Sequence, residues 1–260
     1  EVLGLGPAKT YGKGVFRGIF EVLPGHFLEC GAEGCREHCY WKLESRIHED
    51  SWEDTVEKMQ YLLEDAVRIQ MLSDVPVCTF LSGGVDSSLV TAICSRELRK
   101  KGKVLDTYSF DFKDNDVNFQ ANAFQPSQDR PWVDKVKDYA ATRHHYLECR
   151  NEELYDDLFE AVKARDLPCM ADVESSMLYF CRKVAACHKV TLTGECADEI
   201  FGGYPWFHKK ECLEADIFPW SMDFRPRTML LRDDVLRELP LQEYAWEAYR
   251  RTVEETPVLE

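Results

Sequence analysis

No apolar run in this 260-residue chain approaches the roughly 20 residues needed to span a bilayer. Nor does a charged segment followed by an apolar stretch open the chain, as a secretory signal would. Basic residues are in short supply, with 32 Lys and Arg against 47 Asp and Glu, and the net charge is −15. A protein that holds nucleic acid by neutralising phosphates needs the opposite balance. A nucleotide substrate is not excluded, because backbone amides and a bound divalent cation offset phosphate charge locally. There is no internal repeat, no low-complexity tract and no cysteine spacing typical of a disulfide framework. The first residue is Glu1 rather than Met, so a native N-terminus further upstream is expected.

What is present suits a folded α/β protein. Hydrophobic residues make up 45% and charged residues 30%, enough for a sizeable core and too little net polarity for global disorder. The length fits one large domain, or one domain with a fragment of another. Eleven cysteines, an odd number, read as the reduced thiols of a cytosolic protein. Cys30, Cys35, His38 and Cys39 have zinc-ligand chemistry, but the spacing C-x4-C-x2-H-C lacks a second C-x2-C pair. The cluster falls at an expected hairpin tip and reads as a variable polar loop.

Two β segments, 14–29 and 40–46, are expected on either side of that loop, with Pro24-Gly25 as a turn signal within the first. Two strands cannot form a stable domain alone, so residues 1–48 read as the tail of a larger domain and a linker. An N-capping pattern at Ser51-Trp52-Glu53-Asp54 opens a helix with an apolar stripe through Val56, Met59, Leu63 and Val67. Strands are then expected over 75–81, 104–112, 144–149 and 189–193, with helices over 88–101, 132–141, 151–165 and 174–187. A long loop is expected over 113–130. This strand–helix alternation predicts a parallel twisted sheet with helices on both faces.

Two loops carry the chemistry. The first, Ser82-Gly83-Gly84-Val85-Asp86-Ser87-Ser88, stands between a strand and a helix and has the makings of a phosphate cradle. The glycines let the backbone approach a ligand, and the hydroxyls of Ser82, Ser87 and Ser88 add donors to the helix amides. Asp86 would repel phosphate unless a cation, most simply Mg²⁺, bridges them. A capped Ser/Gly turn is the simpler reading of such residues, but the loop follows the first parallel strand, where open α/β sheets bind ligands. The second loop, Thr193-Gly194-Glu195-Cys196-Ala197-Asp198-Glu199, again follows a strand and opens a helix. Three carboxylates in five residues repel one another unless a cation or a reaction uses them. The helix macrodipole accounts for Asp198 and Glu199, but not for Gly194 before them or Gly202-Gly203-Tyr204 after them.

The S-G-G-x-D-S loop resembles the pyrophosphate loop of the ATP pyrophosphatase (PP-loop) superfamily, and it lacks the Gly-Lys-Ser/Thr of a Walker motif. Together with T-G-E-C-A-D-E and the following G-G-Y, about 110 residues on, it resembles the glutamine-hydrolysing asparagine synthetase family over roughly residues 1–210. Leu3-Gly4-Leu5-Gly6-Pro7 and Val22-Leu23-Pro24-Gly25-His26 look like the end of that family's glutaminase domain and its linker. The resemblance implies an adenine nucleotide α-hydrolase-like α/β fold over 49–260, C-terminally incomplete, preceded by a short β hairpin from a truncated glutaminase domain in 1–48. It implies that Ser82, Gly83, Gly84, Asp86, Ser87 and Ser88 hold the pyrophosphate of ATP, and that Asp86 and Asp198 hold Mg²⁺. It further implies that Leu81, Phe112, Thr193 and Gly194 contact adenosine and that Glu195 handles the proton during amine attack.

The implied reaction is adenylation of the aspartate side-chain carboxylate, followed by attack of ammonia, from glutamine, to give asparagine. Aspartate, glutamine or ammonia, and ATP are the implied partners, with no nucleic acid or membrane, in a cytoplasmic protein expected to assemble as a homodimer. The family's N-terminal cysteine nucleophile has no counterpart here, and neither its R-x-P-F-x-D segment nor its later lysine occurs before Glu260. The chain is therefore expected to be incomplete as a catalyst and to lack glutaminase activity. Cys196 stands where glycine is commoner in the family. The rival readings are a relative that adenylates another carboxylate, such as a β-lactam-forming cyclase, and a non-catalytic nucleotide-binding module.

Overall fold

A computed structural model describes residues 2–5, 10–122, 125–168 and 170–256; Gly6 and Pro7 of the opening segment lie outside them. In chain order the elements begin with α1 (Val2–Leu5), β1 (His26–Gly31), β2 (Gly34–Cys39), α2 (Trp52–Gln70), β3 (Val77–Phe80) and α3 (Val85–Lys100). There follow β4 (Asp106–Phe112), α4 (Asn115–Asn118), α5 (Arg130–Ala140), β5 (Arg143–Cys149), α6 (Asn151–Arg165), α7 (Ala171–Ala185), β6 (Val190–Leu192) and α8 (Ala197–Phe201). The chain continues through α9 (Lys210–Leu213), α10 (Arg225–Thr228), α11 (Asp233–Glu238) and α12 (Leu241–Glu255), with short 3-10 turns at Pro205–His208 and Pro219–Ser221. These elements divide into two compact units, one of residues 1–49 with 208–260 and one of residues 50–207. Among the described residues no helix is long and apolar enough to cross a membrane.

Unit 50–207 contains the α/β sheet, four parallel strands in the order β5-β4-β3-β6. Adjacent residues of β3 point to opposite faces, as in any strand. Val77 packs with Cys94 of α3, Leu105 and Leu192, and with Val67 and Met71 at the end of α2. Cys78 turns the other way, toward Tyr108 and Val184 of α7, with Phe80, Phe110 and Leu147 around them. Both faces of the sheet are thus covered by helices, which suits parallel strands of near-continuous apolar composition. The chain passes from β3 to β4 and β5 in one direction, then returns through α6 and α7 to place β6 on the other side of β3. The sheet therefore reverses its order between β3 and β6.

The cap of α2 forms as its sequence predicts, with the Asp54 amide donating to Ser51 Oγ at 3.1 Å. Elsewhere boundaries shift. Helix α3 begins at Val85 rather than residue 88, so Asp86, Ser87 and Ser88 belong to its first turn. The expected loop over 113–130 contains α4, and its residues 123 and 124 lie outside the described residues. Helix α7 starts three residues earlier than its periodicity indicates.

The largest correction is in unit 1–49 with 208–260. The strands expected over 14–29 and 40–46 are not the pair that forms; β1 and β2 pair antiparallel from His26↔Cys39 to Gly31↔Gly34. The turn at Gly25, whose carbonyl accepts from the Tyr40 and Trp41 amides, cuts the first segment short. What looked like a polar loop is the hairpin itself, closed by Ala32 and Glu33 between two glycines. Register sets Cys30 opposite Cys35 at a Cα–Cα distance of 4.1 Å, and the two form a disulfide. This corrects the reading of all the cysteines as reduced thiols: cross-strand register, invisible in Cys spacing, brings these two together. Elsewhere in this unit Leu5, Phe224, Leu241 and Ala245 form a small core, with Arg227 donating to the Leu5 carbonyl at 2.6 Å.

Candidate active site

Open parallel sheets leave a crevice at the carboxyl ends of their strands where the order reverses, and ligands bind there. In this protein that place is the gap between β3 and β6, and both glycine loops lead into it. From β3 the chain turns through Ser82–Gly84 into α3. The turn is cross-tied, with the Ser82 amide donating to Ser87 Oγ at 3.2 Å and the Ser82 and Ser87 hydroxyls 3.0 Å apart. Gly83 has φ +82°, and a Cβ there would lie 2.8 Å from the Val133 amide nitrogen, so no other residue fits without moving α5.

From β6 the chain runs through Thr193 and Gly194 into α8. A Cβ on Gly194 would sit 2.8 Å from both Asp86 Cβ and the Ser87 amide nitrogen. The second loop is thus laid directly on the first turn of α3, and the absence of a side chain at Gly194 lets the two motifs touch. Cys196 enters α8 with φ +67°, the left-handed region that favours glycine.

The crevice opens into a cavity of about 250 Å³ whose walls include Ser82, Gly84, Asp86, Ser87, Gly194, Glu195, Asp198 and Glu199. Four of its lining residues are carboxylic acids and none is basic. The Tyr204 hydroxyl donates to Glu199 Oε1 at 3.0 Å, a bond that pushes the phenol's pKa up. On the β4 side a second cavity of about 380 Å³ shares Phe80 and Ser82 with the first, and Leu81, Asp111, Phe112, Asp129, Arg130, Tyr146 and Met177 line it.

Of the residues singled out from the sequence, Ser82, Gly84, Asp86, Ser87, Gly194, Glu195 and Asp198 converge on the first cavity, and Leu81, Ser82 and Phe112 on the second. Three others line neither. Gly83 backs onto α5, Thr193 accepts a hydrogen bond from the Glu195 amide at 3.4 Å, and Ser88 Oγ is buried without a partner among the described residues. Glu199 and Tyr204 also line the first cavity, although no role for them follows from their place in the second motif. Asp129, Arg130, Tyr146 and Met177 of the second cavity come from separate elements and carry no local signal in the sequence.

A family model described as asparagine synthase matches residues 58–260. The chain belongs to the asparagine synthase family. Within this family it is similar to the glutamine-hydrolysing asparagine synthetase 3 of Bacillus subtilis, 48% identical over 261 aligned residues that cover 100% of this chain and 42% of that protein. It is 31% identical to a glutamine-hydrolysing asparagine synthetase of Zea mays over 212 residues, covering 74% of the chain and 33% of the relative. An amidase, chry2, of Gibberella zeae is 29% identical over 214 residues, 77% of the chain and 31% of the relative. The chain thus spans less than half the length of each of these relatives. Among solved structures it is similar to an NAD+ synthetase from Burkholderia pseudomallei, with TM-score 0.33 and 16% identity over 80% of this chain and 93% of that one.

The donor set suits a hard divalent cation. Asp86 and Asp198 line the same cavity, and among the described residues no group of three or more His, Cys, Asp or Glu side chains is gathered as a metal site. Mg²⁺ is commonly held by one or two carboxylates, with substrate phosphates and water completing its shell. A cage of protein ligands is not needed.

Proposed function

We propose that the protein forms asparagine from aspartate by ATP-dependent activation of the side-chain carboxylate. In the first step a carboxylate oxygen of aspartate attacks the α-phosphorus of ATP, giving β-aspartyl-AMP and releasing pyrophosphate. In the second, ammonia attacks the acyl carbon, AMP leaves, and one proton is lost from the nitrogen. The names of the glutamine-hydrolysing relatives support glutamine as the source of that ammonia. What carries the reading is the contact of Gly194 with Asp86 and Ser87. It sets a serine- and amide-rich phosphate cradle against a row of carboxylates in one crevice.

The residues divide the work by chemistry. Amides at the start of α3 and the hydroxyls of Ser82 and Ser87 receive phosphate oxygens. Asp86 and Asp198 would hold Mg²⁺, which supplies neutralisation of phosphate charge as pyrophosphate departs. Leu81 and Phe112 line the adjoining cavity, which this reading assigns to adenosine. Glu195 stands on the same wall as Asp198 and takes the proton as the amine attacks. Orientation and charge stabilisation do most of the rest.

The test is aspartate-dependent exchange of labelled pyrophosphate into ATP, run against a panel of other carboxylic acids. Exchange is expected with aspartate and is expected to vanish in Asp86→Asn. In Glu195→Gln, exchange should persist while amide formation falls by about 10²–10⁴, the usual contribution of a positioned base. Exchange that requires a different acid would overturn the assignment of aspartate. Full amide formation in Glu195→Gln would remove the proton role.

A further inference from the structure

The second motif ends in two glycines and a tyrosine, and the reaction above leaves all three without a task. Gly202 closes α8 with φ +66°, a conformation that favours glycine. Gly203 follows it without a positive φ, so its missing side chain needs another reason. A Cβ built on Gly203 would collide with Asp198 Oδ1, with Asp198 Cγ at 3.0 Å and Asp198 Cα at 3.4 Å. The three nearest atoms thus belong to one residue, and that residue lines the first cavity.

The chain brings the two together by folding back on itself. Helix α8 is five residues long, and the amides of Gly202 and Gly203 both donate to the Asp198 backbone carbonyl, the latter at 3.0 Å. Gly203 is thereby laid along the side chain of Asp198. The two adjacent acids are then fixed by different means. Glu199 Oε1 accepts from the Tyr204 hydroxyl at 3.0 Å, which ties that carboxylate down. The carboxylate of Asp198 takes no hydrogen bond and no ion pair among the described residues. Its direction is restricted by packing alone, and Gly203 is the surface it rests against. A ligand already held in one rotamer gives up less side-chain freedom when it binds its cation.

We propose that Gly203 is a positioning residue for the cation: the room beside its Cα sets the rotamer in which Asp198 presents its carboxylate to the Mg²⁺ that accompanies ATP. This role presupposes that the crevice is an MgATP site and that Asp198 is among the metal's ligands. A methyl group at position 203 meets the movable end of a side chain, while the Asp198 Cα stays at ordinary contact distance. The fold should therefore tolerate the methyl, and the carboxylate should swing aside. At Gly194, by contrast, a Cβ would meet the Ser87 amide nitrogen at 2.8 Å, and the same change would have to move backbone. Residues that orient a metal ligand from behind contribute about 10–100-fold to metal affinity.

The experiment titrates ATP calorimetrically into the purified protein, once with Mg²⁺ and once with EDTA, for the wild type, Gly203→Ala, Asp198→Ala and the double variant. The wild-type protein should bind MgATP at least about tenfold more tightly than metal-free ATP, because the four acids of the cavity repel an unneutralised triphosphate. In Gly203→Ala the affinity for MgATP should fall by about tenfold or more. Its binding of metal-free ATP and its melting temperature without ligand should stay as in the wild type. On the Asp198→Ala background the alanine at 203 should cost nothing further, since no carboxylate is left to displace. Full MgATP affinity in Gly203→Ala overturns the proposal. So does an equal loss of both forms of ATP, a lowered melting temperature, or a loss that persists undiminished on the Asp198→Ala background, each of which would make Gly203 structural. Those results leave the MgATP site standing as long as the wild-type protein binds MgATP. If the wild type binds neither form, the MgATP site falls and the role of Gly203 with it.

Discussion

At Cys196 a residue with a side chain stands where the backbone asks for none. Its φ of +67° lies in the left-handed region, which costs an L-residue roughly 1–2 kcal/mol. Glycine escapes that cost but gives back about 0.5–1 kcal/mol in chain entropy. Cys196→Gly should therefore stabilise by up to about 1.5 kcal/mol, at about 2–4 °C in melting temperature per kcal/mol for a chain of roughly this size. Cys196→Ala removes the sulfur and keeps the strained backbone. If both variants melt at the same temperature, strain is not the cause. The same scale shows what the sequence could and could not disclose about the site. Asp86, Glu195 and Asp198 stand out in the sequence because each sits in a short motif beside glycines, and the structure puts all three on the first cavity. Arg130, Tyr146 and Met177 of the second cavity do not, because they come from α5, β5 and α7, and residue spacing does not encode which strand ends become neighbours.

Among the elements, those whose signals are local came through best. Ser51 caps α2 through the bond its sequence announces, and α6 runs over 151–165 as its periodicity predicts. The hairpin failed because its register depends on the turn at Gly25 and on pairing between segments of no marked alternation. The pairing of β4 with β5 carries its own consequence. His144 of β5 lies between the hydroxyls of Thr107 and Ser109, at 2.8 and 3.0 Å. Burial comes first among the causes that hold its imidazole down to about 4. Between that value and the ordinary 6.5, the unfolded chain binds a proton that the folded chain refuses. Stability thus rises with pH across this window and is lost on acidification from about 6.5 toward 4, by at most about 1.4 kcal/mol per pH unit. His144→Gln should flatten the melting temperature between those pH values relative to the wild-type protein. An unchanged slope would assign the acid sensitivity to other groups. Asp106, which Arg143 holds at about 2, loses its contribution only below its unfolded value of 3.8 and so titrates outside this window.

For the whole molecule, the fold class followed from the alternation of apolar strands and helices, since a parallel sheet must be covered on both faces. The division of the chain did not, because it joins residues 1–49 with 208–260, two segments far apart in sequence. Every residue that lines the two cavities of the site falls between Phe80 and Tyr204, inside unit 50–207. That unit also has its own core on each face of the sheet. A fragment of residues 50–207 should therefore fold with a cooperative thermal transition and bind MgATP within about threefold of the full chain, since a domain with its own core folds alone. Calorimetric titration of the two proteins side by side measures this. A folded fragment that has lost MgATP binding would mean that residues of the other unit complete the nucleotide site, and the assignment of phosphate binding to the β3–β6 crevice alone would have to be given up.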